Sequence, residues 1–151
     1  MGKDALEFMG YEFKPWQFTV EKGKIREFAM AIGDENPVYV SCGAAMEASF
    51  ADITIPPTFL TAVDMWGGLD FFQLMEIMHL NPAKVLHGEQ EYVYYGEIYA
   101  GDELTASGRV SDVQSKSGGK GAMNVFTIET TYTNQKSDLV AIARSVVVEF
   151  L

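Results

Sequence analysis

The stretch from Thr58 to Met78 constrains the fold more than any other part of the chain, because it is apolar on nearly every side of a helix. Pro57 suits the first turn of a helix, so we predict one long helix over this stretch. A helix with so little polar surface belongs in a core or an interface. Gly67-Gly68 in its middle is either a weak point or a place where another backbone comes close.

After Pro82 the pattern changes from helical to extended. The predicted strands are Leu86–Ile98, Leu104–Ser111, Met123–Thr133 and Leu139–Phe150. The second of these alternates apolar and polar residues, and the last is apolar on both faces, which is typical of an interior strand. A hairpin loop is predicted at 117–121. With a helix predicted at 21–32, the order indicates an α+β fold, in which a long helix packs on a curved antiparallel sheet in one domain over 1–151.

The charge balance excludes several classes of partner. The formal net charge is −10 at pH 7, whereas nucleic acids and anionic membrane surfaces need clustered Lys and Arg. Asp64, Asp70 and Glu76 would be costly in lipid, so we expect no membrane span. Cys42 stands alone, which excludes an intrachain disulfide and a Cys-rich metal site, and we expect no bound metal. Because the N-terminus does not read as a signal peptide, we expect a cytoplasmic protein.

Four short segments carry the chemical information. They are Asp34-Glu35-Asn36-Pro37-Val38-Tyr39, Pro56-Pro57-Thr58-Phe59-Leu60, Leu69-Asp70-Phe71-Phe72 and Tyr99-Ala100-Gly101-Asp102-Glu103-Leu104. In order and spacing they resemble the MaoC-like hot-dog family, and within it the FAS1-type dehydratase N-terminal group. The resemblance implies the hot-dog fold, a long central helix wrapped by a curved antiparallel sheet. It also implies a hydratase or dehydratase of 2-enoyl and 3-hydroxyacyl thioesters, or its substrate-binding subunit.

The same resemblance implies roles for individual residues. In working members an Asp and a His end an Asp-x-Asn-Pro-x-His segment and share one water, while a backbone N–H at the helix start stabilises the oxyanion. Asp34 takes the Asp position, Asn36 belongs to the bend, and Tyr39 takes the His position. The backbone N–H of Thr58 takes the oxyanion position. The implied substrate-binding residues are Pro57, Phe59, Val63 and Trp66. No cofactor is implied, because the CoA or acyl-carrier thioester is the substrate.

Tyr39 is the main departure from the family pattern. A phenol has a pKa of about 10 and an imidazole about 6.5, so tyrosine makes a poor general base near neutral pH. Loss of the histidine is consistent with a subunit that binds the acyl group while a second hot-dog chain supplies Asp and His. We therefore expect a homodimer or a heterodimer, with residues 86–95 and the last strands as candidate interfaces.

Two other functions stay open on the sequence alone. Hot-dog thioesterases often place a carboxylate on the central helix, and Asp64 lies on the predicted helix. A non-catalytic module that binds acyl thioesters is favoured by Tyr39 and Trp66. The segment from Asp34 to Pro37 could also be an ordinary solvated turn, because Asp and Asn are common in turns.

Overall fold

The computed structural model describes residues 4–68, 70–118 and 121–151. The strands in these ranges are β1 (Trp16–Thr19), β2 (Val85–Tyr94), β3 (Glu103–Gly118), β4 (Gly121–Thr133) and β5 (Leu139–Phe150). They form one five-stranded antiparallel sheet in the order β1-β3-β4-β5-β2. The four predicted strands are confirmed. β3 and β4 pair as far as Gly118 and Gly121, and the predicted loop residues Gly119 and Lys120 lie outside the described residues.

The alternation of residues in the sequence determines how the sheet is covered. In β3 the apolar positions Leu104, Ala106, Gly108 and Val110 are all buried, and the residues between them are more accessible. β5 lies between β4 and β2, so the prediction of an interior strand is confirmed. Register shifts in β3 and β2 mark bulges, which bend and twist a sheet.

The helices are α1 (Lys22–Ala31), α2 (Cys42–Glu47), α3 (Leu60–Gly67) and α4 (Phe71–Ile77). The prediction of one uninterrupted helix was therefore wrong. A Cβ at Gly68 would lie 2.6 Å from Trp16 Cε2 and 2.8 Å from the Asp64 carbonyl oxygen, so β1 approaches closely at this point. Asp70 then begins α4 with a capping box, in which its carboxylate accepts from the Gln73 N–H. Leu69, which precedes this cap, is outside the described residues.

Two apolar clusters make up the core. The first joins α1 and α3 to one end of the sheet and includes Phe59, Leu60 and Val63, which are fully buried. The second lies between α4, the N-terminal segment and the other end of the sheet, and includes Met75 and Phe126. Helices on one face of an antiparallel sheet confirm the α+β, hot-dog class, with the central helix divided into α3 and α4.

None of the helices in the described ranges is long and apolar enough to cross a bilayer. In the same part of the chain, no group of three or more His, Cys, Asp or Glu side chains is arranged to hold a metal ion.

Candidate functional site

The turn after α1 places Asp34 and Tyr39 close together. Gly33 has a φ of +73°, which lets the chain reverse. Asp34 Oδ1 then accepts from the Asn36 N–H at 3.0 Å, and Asn36 Oδ1 accepts from the Val38 N–H at 3.2 Å. These two local bonds fix the predicted bend and begin a 3₁₀ turn over Pro37–Tyr39.

Tyr39 is buried at the end of this turn, with 8% of its surface exposed. Burial raises the pKa of its hydroxyl above the ordinary value, and the charge of Asp34 raises it further. The phenol therefore stays protonated at neutral pH. Its pKa moves away from the range that a general base needs.

A first cavity of about 320 Å³ lies beside this turn. Asn36, Tyr39 and Pro57 line it, together with residues of the segment that follows β2, such as Glu97 and Ile98. Three of the predicted site residues are therefore brought together. Asp34 is half-buried next to Tyr39 and is not part of the cavity wall.

A second cavity of about 550 Å³ lies between the helices and the covered face of the sheet. Its helical wall contains residues of both α3 and α4, and its opposite wall contains residues of all five strands. One cross-strand row contributes Gly108, Thr130 and Tyr92 to this wall, because Gly108 pairs with Thr130, and Ala143 pairs with both Thr130 and Tyr92. Most of the wall is apolar.

The turn that precedes α3 separates the two cavities. Pro57 lines the first cavity and Thr58 lines the second. Tyr94, on the wall of the first cavity, donates from its hydroxyl to the Pro57 carbonyl at 2.7 Å. The predicted oxyanion position therefore lies at the boundary between the cavities.

The remaining predicted substrate-binding residues lie elsewhere. Phe59 and Val63 are fully buried in the first core cluster and line neither cavity. Trp66 is 75% exposed, and the Lys24 ammonium lies 5.1 Å from its ring centroid. The apolar face of α3 packs into the core, and these three assignments stay predictions that rest on the resemblance.

The side of α3 that faces the second cavity carries Met65 and two polar residues, Thr61 and Asp64. Thr58, Thr61 and Asp64 follow one another at intervals of three residues, which places them along one face of the helix. Thr61 and Tyr92 share a hydrogen bond between their hydroxyls of 2.5 Å. This polar stripe on an otherwise apolar helix was visible in the sequence, and it was the signal for the cavity wall that the prediction did not use.

Asp64 has an unusual environment within this stripe. Its Oδ1 accepts from the Tyr132 hydroxyl at 2.5 Å. Although the residue as a whole is only half-buried, its carboxyl is withdrawn from bulk water, and this burial raises its pKa to about 7. Near neutral pH the group is divided between its acid and its carboxylate.

Comparisons with known proteins identify relatives over most of the chain. A model of the protein family described as "FAS1-like, dehydratase domain region" matches residues 7–143. A UPF0336 protein of Saccharopolyspora erythraea is 32% identical over 142 residues, covering 93% of this chain and 88% of the relative. The family resemblance is thereby confirmed.

Solved structures show the same fold. The crystal structure of the C-terminally truncated HadBC (3R-hydroxyacyl-ACP dehydratase) complex from Mycobacterium tuberculosis superposes with a TM-score of 0.75 at 23% identity, covering 98% of this chain and 99% of that one. The ChsH1-ChsH2 complex from the same organism gives 0.78 at 22% identity, covering 97% and 88%. None of these findings favours the thioesterase or the non-catalytic module.

Proposed function

This chain belongs to the family of FAS1-like dehydratase domains, and on that premise we propose that it is the acyl-binding subunit of a hydratase or dehydratase. Its substrates are 2-enoyl and 3-hydroxyacyl thioesters of CoA or of an acyl carrier protein. A second hot-dog chain with an intact Asp-x-Asn-Pro-x-His segment supplies the proton-transfer groups. The reaction adds or removes water and needs no further cofactor.

The state of Tyr39 is the observation that carries this proposal. Hydration needs one group that takes a proton from water and one that delivers a proton to the carbon next to the thioester. An imidazole exchanges protons near neutral pH, whereas the pKa of the Tyr39 hydroxyl is raised above its ordinary value. On its own, the first cavity therefore lacks a base at the position where the family has one.

The tyrosine at position 39 also implies that the partner chain has a different sequence. A homodimer would bring two copies of Tyr39 together and still provide no histidine at that position. The HadBC and ChsH1-ChsH2 structures from Mycobacterium tuberculosis are both complexes, which supports a heterodimer here. β2 offers an accessible edge for it, because this strand ends the sheet and most of its residues are exposed.

In the proposed complex, the two cavities of this chain divide the substrate between them. The thioester carbonyl lies at the boundary near the Thr58 N–H, because the N–H groups of Phe59, Thr61 and Ala62 already bond carbonyls of the turn that precedes α3. The Thr58 N–H and the dipole of α3 stabilise the negative charge that develops on the thioester oxygen. The acyl chain extends into the mostly apolar second cavity.

The test compares the chain alone with the chain co-purified with a hot-dog partner that carries the intact segment. Hydration of crotonyl-CoA and of longer enoyl-CoAs is followed by the loss of absorbance of the conjugated thioester. We expect no hydration above background by the chain alone and clear turnover by the complex. Replacing the partner's histidine should abolish activity, while Tyr39→Phe in this chain should not.

Turnover by the isolated wild-type chain at the rate of the complex would contradict the proposal. Thiol release is measured in the same samples as a control. If thiol release exceeded hydration and disappeared in Asp64→Ala, the thioesterase reaction would replace the proposed one.

A further inference from the structure

We propose that Tyr94 is a positioning residue of the candidate site, which holds the Pro57 carbonyl and thereby aims the Thr58 N–H at the thioester oxygen. The inference rests on the proposed function, because it takes the Thr58 N–H to be the donor that stabilises this oxygen. Tyr94 lies outside the four segments that carry the family resemblance. Its role is therefore inferred from the geometry of this chain.

The Pro57 carbonyl and the Thr58 N–H are the two ends of one peptide group. This group is planar and trans, so the two bonds point in nearly opposite directions. The Tyr94 hydroxyl donates to the Pro57 carbonyl at 2.7 Å. Because the peptide plane is rigid, a bond that fixes the direction of the carbonyl also fixes the direction of the N–H.

This peptide group is the central one of a β-turn. The Phe59 N–H bonds the Pro56 carbonyl at 2.9 Å, so the turn consists of residues 56–59. Rotation of the central peptide converts a type I turn into a type II turn, and it reverses the carbonyl and the N–H. A type II turn needs a positive φ at its third residue, and Thr58 does not have one. The bond from Tyr94 would break on this rotation, so it favours the observed orientation.

Tyr94 is the donor that holds this peptide group in the described part of the chain. No backbone N–H of the described residues bonds the Pro57 carbonyl, and the Thr58 N–H has no acceptor among them. Pro57 and Thr58 are both exposed, and Thr58 lines the second cavity. The Thr58 N–H is therefore available to a ligand, and its direction depends on the Tyr94 hydroxyl.

The sheet fixes the position of Tyr94 itself. Tyr94 is the last residue of β2 and pairs with Ala141 of β5. Two residues earlier on β2, the Tyr92 hydroxyl bonds the Thr61 hydroxyl, about one helical turn beyond Pro57. Strand β2 therefore bonds the start of the helical segment at two successive points. Burial raises the pKa of the Tyr94 hydroxyl, so this group stays protonated and remains a donor.

The direct test measures the hydrogen bond to the thioester oxygen. The full-length chain is saturated with trans-2-dodecenoyl-CoA that carries carbon-13 at its thioester carbonyl, and isotope-edited infrared spectroscopy gives the carbonyl stretching frequency. A hydrogen bond to a carbonyl lowers this frequency. We expect a higher frequency for the ligand bound to Tyr94→Phe than for the ligand bound to wild type, while its affinity stays within about threefold. A merely structural role would weaken binding and leave the frequency of the bound ligand unchanged.

The kinetic test uses the active complex with the hot-dog partner. Tyr94→Phe should lower kcat for hydration about fivefold, the value of about one hydrogen bond, and should change KM by less than about twofold. Tyr95→Phe is the matched control, because the Tyr95 side chain is exposed and lines neither cavity. It should keep the wild-type frequency and the wild-type kcat.

Equal carbonyl frequencies in wild type and folded Tyr94→Phe would overturn the inference and leave the proposed function in place. A loss of affinity in Tyr94→Phe with no change in frequency or kcat would overturn it as well. If the chain bound no acyl-CoA at all, the proposed function would fail together with the inference. Circular dichroism checks folding, and Tyr94→Met, which also lacks the donor, takes the place of Tyr94→Phe if that variant does not fold.

Discussion

The two cavities of this protein differ in two respects. One contains residues of the family segment Asp34–Tyr39, and the other contains a group whose pKa is near neutral. The first contains residues of the family segment, including Asn36 and Tyr39, but its phenol has a raised pKa. The second lies outside that segment, yet it contains a carboxyl whose pKa is about 7. Burial is the main cause of the pKa shift in both cases. The outcomes differ because a phenol and a carboxyl have different ordinary pKa values.

This contrast teaches that a titrating group is not by itself a catalytic group. Asp64 accepts from the Tyr132 hydroxyl in a mostly apolar cavity, away from the Asp34–Tyr39 turn that carries the family segment. Tyr39 takes the family's histidine position by resemblance, and burial raises the pKa of its hydroxyl. The proposed function therefore assigns proton transfer to a partner chain and binding of the acyl group to the second cavity.

The largest expected effect would come from filling the close contact that bounds the second cavity. Gly68→Val places a branched side chain where even a Cβ would lie 2.6 Å from Trp16, so the free energy of unfolding should fall by about 3 kcal/mol. Gly23→Val is the matched control, because a Cβ there meets nothing within 4 Å, and it should stay within about 0.5 kcal/mol of wild type. Urea denaturation measures both. Equal stability of the two variants would contradict the close packing of β1 on α3.

A second, smaller effect concerns the pH dependence of stability. Burial raises the pKa of Asp64 to about 7 from 3.8, so between these values the folded chain holds a proton that the unfolded chain has released. Stability from this group is therefore full below about pH 4 and falls as the pH rises to about 7, by at most about 1.4 kcal/mol per unit. The full shift corresponds to about 4 kcal/mol, and solvent screening of this half-buried side chain reduces the expected fall to about 2 kcal/mol.

Asp64→Asn should remove this decline, which is measured by urea denaturation between about pH 4 and about pH 8. Glu47→Gln, at an exposed position on α2, should run parallel to wild type. A wild-type curve parallel to that of Asp64→Asn would show that the carboxyl titrates normally, and the contrast between the cavities would disappear.

The smallest effect sharpens the contrast at the first cavity. Tyr39→His restores the family residue beside Asp34, and the isolated chain should then hydrate crotonyl-CoA at least about tenfold faster than wild type, the low end of what a positioned acid or base contributes. Tyr39→Phe should stay at background in the same spectrophotometric assay. If both variants stayed at background, Asp34 would not be positioned for this chemistry.

Local patterns allowed most of the fold to be predicted. Alternation in β3 and the apolar faces of β5 were sufficient to predict these strands. One side of the first part of β3 is buried, and β5 lies between two other strands, as such patterns require. The division of the central helix was missed, since apolar residues continue on both sides of Gly67-Gly68. Asp70 and Gln73, spaced as a capping box, were the local signal for a new start.

The site was less predictable than the fold. The bend at Asn36 follows from local hydrogen bonds and was expected. The wall of the second cavity includes residues such as Gly108 and Thr130, which come together only through strand pairing. The bond from Tyr94 to Pro57 joins the end of β2 to the turn that precedes α3, and no local pattern indicates such a long-range contact.

The interruption between α3 and α4 determines what the helical layer can enclose. An unbroken helix over 58–78 would be a rod of about 30 Å with one fixed direction. Two short rods that meet at small residues can each take their own inclination over the strands, and the space beneath the joint is shaped by both. Relatives that differ in the residues of this joint should therefore hold ligands of different length, even where every residue of the Asp34–Tyr39 turn is the same.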